Sequence, residues 1–307
     1  MSNEDTITSL FAHKLIFVTG KGGTGKTLIT AYLAQKAALL GKRVLICELG
    51  ASAQISGLFG INEDIDYQPK SLSEHIHTAR LSHRDCLKEY IVDRLRYPTI
   101  YEKVFTKNVV RSFLEAVPGL GEVMILGKLV YEAKRAYYDL VLFDAPATGH
   151  FIQLLATPQN IRESGLIGPL VNEVREIEEY LADQINCAIS LVSLPESLVL
   201  DETIEFMQYA QSHIKTPISL VILNQMLPEL AKNLQILNSP KLAQTTLCSY
   251  LHKKLELMQQ GYALLTSELA KYSHQTDLVL TKEMGILKTP LLENNFMTGF
   301  LLGKEHA

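Results

Sequence analysis

The sequence predicts an α/β fold, doubly wound around a mainly parallel sheet. Three observations carry that expectation. Short, almost unbroken apolar runs recur at 14–19 (KLIFVT), 43–49 (RVLICEL), 139–144 (DLVLFD), 188–194 (AISLVSL) and 218–224 (ISLVILN), with 277–281 (DLVLT) a weaker sixth. Such runs suit strands buried on both faces, as in parallel sheets. Helix-period segments lie between them. A glycine-rich stretch, TGKGGTGKT at 19–27, follows the first run directly.

Residues 26–40 (KTLITAYLAQKAALL) read as a helix that Gly41 stops. The first unit is therefore strand, glycine loop, helix, strand. From 61 to 138 the strand pattern disappears. This stretch reads mostly as helices, broken at Pro98 and at VPGLG (117–121). It is expected as a helical insertion at one sheet edge, within a single domain spanning 1–307. A second helical stretch covers 229–272. There Leu251, Leu255, Met258, Tyr262, Leu265 and Leu269 form one apolar stripe, either packed on the sheet or the insertion, or open as a partner groove.

The chain has 307 residues, 47% hydrophobic and 20% charged, which suits a folded protein rather than a disordered one. Net charge is −4 with no basic run, so no nucleic-acid partner is expected. Cys47, Cys86, Cys187 and Cys248 are scattered and form no CxxC pair, as in a cytoplasmic protein with reduced thiols. The start of the chain does not read as a secretory signal, and no apolar run reaches the ~18 residues of a membrane span.

Gly20–Thr27 matches G-x-x-x-x-G-K-[ST], the phosphate loop of the P-loop NTPase fold. Gly20, Gly22, Gly23 and Gly25 let the backbone around Thr24 curl about phosphates, and the next helix presents its positive end to them. Lys26 neutralises β- and γ-phosphate charge, and Thr27 offers a hydroxyl to Mg²⁺. Asp144 ends a buried strand and fits a carboxylate that reaches Mg²⁺ through water. Gly149 follows closely and permits a switching backbone.

Lys21 is an additional lysine inside this loop. The pattern KGGxGKT resembles the deviant Walker loop of a subset of P-loop ATPases. DAPATGH at 144–150 resembles the switch of one branch, the ArsA family, with Thr148, Gly149 and His150 on its threonine, glycine and histidine. LVSLPESLVLDET (191–203), VILNQMLPE (221–229) and TPLLENNFMTG (289–299) are similar to further family segments in the same order. The resemblance spans nearly the whole chain and is nearest to bacterial members with one nucleotide domain. It implies ATP/ADP and Mg²⁺ as ligands, Asn224 on adenine and Pro290 near the base. It also implies a homodimer, or a heterodimer with a related ATPase, in which Lys21 of each subunit reaches the partner's nucleotide. There a second cation offsets charge developing in phosphoryl transfer.

The chain departs from the family where an aspartate normally follows the second strand and helps position the attacking water. LICELG places Leu49 or Gly50 there. Glu48 is the nearest acid. Facing the nucleotide, it would substitute; reaching only a neighbouring loop, it would leave hydrolysis slow or absent, since loss of such a group costs ~10²–10⁴-fold. The function expected is an ATP-driven switch coupled to a protein partner or client. The alternative is an ATP-binding regulatory or scaffold subunit. An arsenite-pump ATPase and a MinD/ParA-type positioning ATPase rank lower, because the thiols are scattered and no membrane- or DNA-binding segment stands out.

Overall fold

A computed structural model of the chain describes residues 3–50, 54–94, 118–164, 169–226, 246–271 and 277–280. Among them, eight strands form one sheet: β1 (Leu15–Gly20), β2 (Val44–Leu49), β3 (Lys70–Ser73), β4 (Ile76–Leu81), β5 (Leu140–Asp144), β6 (Cys187–Ser193), β7 (Ile218–Leu223) and β8 (Asp277–Leu280). Their order across the sheet is β3-β4-β2-β5-β1-β6-β7-β8. Every pairing is parallel except that of β3 with β4.

Both faces of the sheet are covered, which explains the unbroken apolar runs. In β1, Ile16 and Val18 face one layer while Leu15 and Phe17 face the other. The first layer is made by α1 (Asn3–Leu10), α2 (Lys26–Leu39) and α3 (Ile55–Leu58). The second contains α4 (His83–Glu89), α5 (Leu120–Lys134), α6 (Thr148–Glu163), α7 (Pro169–Ala182) and α8 (Ser197–His213). An aromatic wedge fixes α6 to the sheet. Phe17 meets Phe143 edge-on at 5.9 Å and Phe151 of α6 at 5.4 Å, and Phe151 continues to Phe206 of α8 at 6.2 Å.

Two strands lie where the sequence reads as mostly helical. β4 pairs with β2 along its length, and β3 pairs with β4 at the sheet edge. The runs KSLS and IHTARL are short and half polar, so neither shows a strand pattern alone. Pairing of β4 with the largely buried β2, and of β3 with β4, supplies what their composition lacks. The other described parts of 61–138 include α4, a wider turn at Tyr90–Arg94 and α5, which starts just after Pro118–Gly119. Pro98 lies outside the described residues.

The apolar stripe also needs one correction. In α9 (Thr246–Leu269), Leu255, Met258, Leu265 and Leu269 are buried, but Tyr262 is 41% exposed. Gly261 takes its place on the packed face. A Cβ there would lie 2.9 Å from Leu200 Cδ1 and 3.3 Å from Pro195 Cα, so the absence of a side chain lets α9 lie close against the start of α8. Hydrophobic patterning gives glycine no weight and selects its neighbour. Among the described residues, no helix is long and apolar enough to cross a membrane.

Phe151 is fully buried, and its removal should loosen α6 from the sheet. Phe151→Ala is expected to cost ~3–5 kcal/mol in denaturant unfolding. A cost below ~1 kcal/mol would show that the wedge does not hold this helix.

Candidate nucleotide site

Parallel strands bring their carboxyl ends to one edge, where open α/β sheets place ligands. The loop after β1 stands there, between the ends of β5 and β6. Gly20 passes so near β6 that a Cβ would lie 2.1 Å from the Val192 carbonyl oxygen. Cβ atoms at Gly22 and Gly23 would meet nothing within 4 Å, so this part of the loop faces open space. The first turn of α2 has no side-chain cap, which leaves its N–H groups for an anion.

Lys26 folds back over the loop, donating from Nζ to the Lys21 carbonyl at 3.1 Å. Burial lowers its pKa, against the opposing charges of Asp144 and Glu202. Thr27 Oγ1 donates to Asp144 Oδ2 at 2.7 Å, and Thr30 Oγ1 approaches Oδ1 at 3.4 Å. Burial raises the pKa of Asp144, with the Thr27 hydrogen bond, the Lys26 charge and the Thr30 hydrogen bond pulling the other way. Thr27 and Asp144 are adjacent hard oxygen donors. Mg²⁺ suits them, because it takes one or two protein oxygens and completes its shell with water and phosphate. A cation there would also offset the buried carboxylate.

The chain leaves β5 through Ala145–Ala147 and enters α6 at Thr148. Ala145 N–H donates to the Val18 carbonyl at 3.0 Å, and Thr19 Oγ1 donates to the Pro146 carbonyl at 2.8 Å, so β1 holds this connection. Thr148 is buried, while Gly149 and His150 lie exposed in the first turn of α6.

Glu48 is 3% exposed and paired in register with Asp144 on the neighbouring strand. Its Oε2 accepts the backbone N–H groups of Gln54 at 2.8 Å and Ile55 at 3.4 Å, anchoring the start of α3. Its Oε1 is buried and meets no hydrogen-bond partner among the described residues. Burial raises the Glu48 pKa, the two backbone hydrogen bonds oppose this, and the Asp144 charge adds to it. Of the two residues at the position of the missing aspartate, Leu49 packs against the core and Gly50 is exposed.

Asn224 is 8% exposed at the end of β7. Its Nδ2 donates to the Thr24 carbonyl at 2.8 Å, and its Oδ1 accepts the Gln225 N–H at 2.8 Å. It therefore braces the phosphate loop, a task the sequence does not announce. The amide retains one N–H and one lone pair for a base edge. Gly25 makes room for it, since a Cβ there would lie 2.6 Å from Nδ2. Pro290 lies outside the described residues.

Lys21 does not point into empty solvent. Its Nζ meets Glu202 Oε2 at 3.2 Å and the Leu198 carbonyl at 3.4 Å. Glu202 Oε1 accepts the Thr148 hydroxyl at 2.5 Å. Burial acts to raise the Glu202 pKa, but the hydrogen bonds from Thr148 and Lys21 and the charges of Lys21 and Lys26 leave it lowered. Sequence reasoning assigned Glu202 no role, although it stands in the LVSLPESLVLDET segment.

The sequence model of the family described as anion-transporting ATPase (ArsA) matches residues 13–166 and 167–274. The chain belongs to this family. Relatives of this ArsA-family chain include a protein named ATPase ASNA1 homolog 1 from Paramecium tetraurelia, 34% identical over 156 residues that cover 50% of this chain and 46% of the relative. ATPase BagA of Mycobacterium tuberculosis is 28% identical over 227 residues, covering 70% of this chain and 66% of that protein. A putative arsenical pump-driving ATPase of Halobacterium salinarum is 26% identical over 235 residues, covering 70% and 36%. The chain thus spans about half the length of the Paramecium relative.

The raised pKa of Asp144 has a definite sign in linkage. A carboxyl that titrates higher when folded favours folding below its ordinary range, and that contribution is lost as pH rises through the raised value. Asp144→Asn removes the titration. In the nucleotide-free protein the variant should be the more stable at pH 7, with the difference narrowing toward about pH 4. Denaturant midpoints across this range test it, and a wild type that gains on the variant as pH rises would contradict it.

Proposed function

We propose that the chain is a Mg²⁺-dependent ATPase that works as a nucleotide-switched homodimer and couples ATP binding and hydrolysis to a protein partner or client. The observation that carries this is the Thr27–Asp144 pair at 2.7 Å beside an intact phosphate loop. Family membership supports the same reading. The loop N–H groups and Lys26 hold the phosphates, and Asn224 faces the base. Bound Mg²⁺ would supply charge neutralisation across the β- and γ-phosphate oxygens. Lys21 serves the nucleotide of the partner subunit, and Gly149 gives the start of α6 its freedom to move.

A second reading has its own support: an ATP-binding regulatory subunit with weak or no hydrolysis. Leu49 and Gly50 carry no carboxylate, and one Glu48 oxygen is committed to the α3 backbone. The other oxygen has no partner among the described residues, and Glu48 lies on the strand beside Asp144, which keeps it eligible as the water-positioning group. Arsenite as a cargo has less support. As(III) wants clustered thiols, whereas Cys47, Cys86 and Cys187 are buried, and among the described residues no three His, Cys, Asp or Glu side chains gather as an ion site.

Steady-state turnover separates these readings. Lys26→Ala and Lys21→Ala are each expected to lower kcat by at least ~10²-fold. If Lys21 acts across a dimer, Lys21→Ala mixed with Asp144→Asn should recover roughly a quarter of the wild-type rate, since half the random dimers carry one complete site. No recovery on mixing would remove the trans role, and ATP binding without lysine-dependent turnover would leave the regulatory reading.

Glu48→Gln keeps an acceptor for Gln54 and Ile55. A fall of ~10²–10⁴-fold in kcat would mark Glu48 as the water-positioning group. An unchanged rate would confine it to anchoring α3.

A further inference from the structure

One carboxylate, that of Glu202, joins two parts of the site. One oxygen holds Lys21 of the phosphate loop, at 3.2 Å. The other holds the hydroxyl of Thr148, the first residue of α6. Both partners of the Lys21 ammonium, Glu202 and the Leu198 carbonyl, lie in the opening turns of α8. We infer that Glu202 is a positioning residue that latches Lys21 in cis while the nucleotide is absent, and ties that latch to the start of the switch helix. The inference rests on the reading of Lys21 as a cation for phosphates.

The chemistry makes the latch reversible. Lys21 and Glu202 are each about one-third exposed, 36% and 35%. An ion pair of that kind is weak and salt-screened. A polyphosphate carries more charge than one carboxylate and offers the lysine a better partner. When Lys21 leaves, Glu202 loses one of its two anchors, and Thr148 is freed to move with Gly149 and His150. Nucleotide arrival and movement of α6 thereby share one side chain, and the path needs no contact between the nucleotide and α8. Leu198 is 75% exposed beside the same ammonium, so the latch sits at the surface.

The test is an affinity cycle on the full chain. The non-hydrolysable imido analogue of ATP, with Mg²⁺, is titrated calorimetrically into wild type, Glu202→Gln, Lys21→Ala and the double variant. Gln keeps the volume and can still accept from Thr148. Glu202→Gln is expected to bind about two- to fivefold tighter, the size of an exposed ion pair. The gain should shrink at high salt and vanish when Lys21 is Ala. Thr148→Val, which loosens the other anchor, should shift affinity in the same direction by less. An equal gain with Lys21 absent would mean that Glu202 acts on the nucleotide by charge alone, and the latch would be wrong. Weaker binding by Glu202→Gln would likewise overturn it. A wild type that binds the analogue but never turns over ATP would fail the hydrolysis reading and leave the latch standing. A wild type that binds nothing would overturn both.

Discussion

The hydrogen bond from Thr27 to Asp144 joins the first turn of α2 to the end of β5, and the rest of the site is arranged around it. It exists because β1 and β5 run parallel with Val18 opposite Asp144. The helix that follows the loop after β1 then meets the end of β5. A slip of one residue would turn Asp144 to the opposite face of the sheet. The buried alternation of Ile16 and Val18 against α2, and of Leu15 and Phe17 against the other layer, prevents that slip. Core packing therefore sets the geometry of the site.

The same edge gathers opposing charge. Asp144 and Glu48 lie side by side on adjacent strands, both desolvated, both titrating above their ordinary range. Lys26 is desolvated too, and titrates lower. Buried charges of this kind favour whatever brings a compensating partner. A magnesium nucleotide brings both signs: cation for the carboxylates and phosphate for the lysines. In its absence, the chain satisfies Lys21 with Glu202 and Lys26 with a loop carbonyl.

The phosphate loop was legible because its function needs particular residues at fixed spacing: glycines for close backbone approach, then Lys26 and Thr27. The central strands were legible because burial on two faces leaves an unbroken apolar run. β3 and β4 were not, since β4 is held by pairing with β2, and β3 by pairing with β4, rather than by their own composition. Gly261 was hidden for a related reason. It contributes to packing by having no side chain, which no hydrophobic pattern records.

By itself, then, the sequence determined the strand–loop–helix unit, the choice of Lys26, Thr27 and Asp144 as candidate nucleotide-site residues, and the branch to which Lys21 and the DAPATGH segment pointed. Each depends on local spacing, which a linear chain displays. Tertiary structure alone decided that Glu202 meets Lys21 and Thr148, that Asn224 braces Thr24 across 200 residues, and that Glu48 anchors α3 while standing beside Asp144. These contacts join elements far apart in the chain. Their partners are chosen by strand order and by the side of the sheet each residue faces, and neither is written in any one segment.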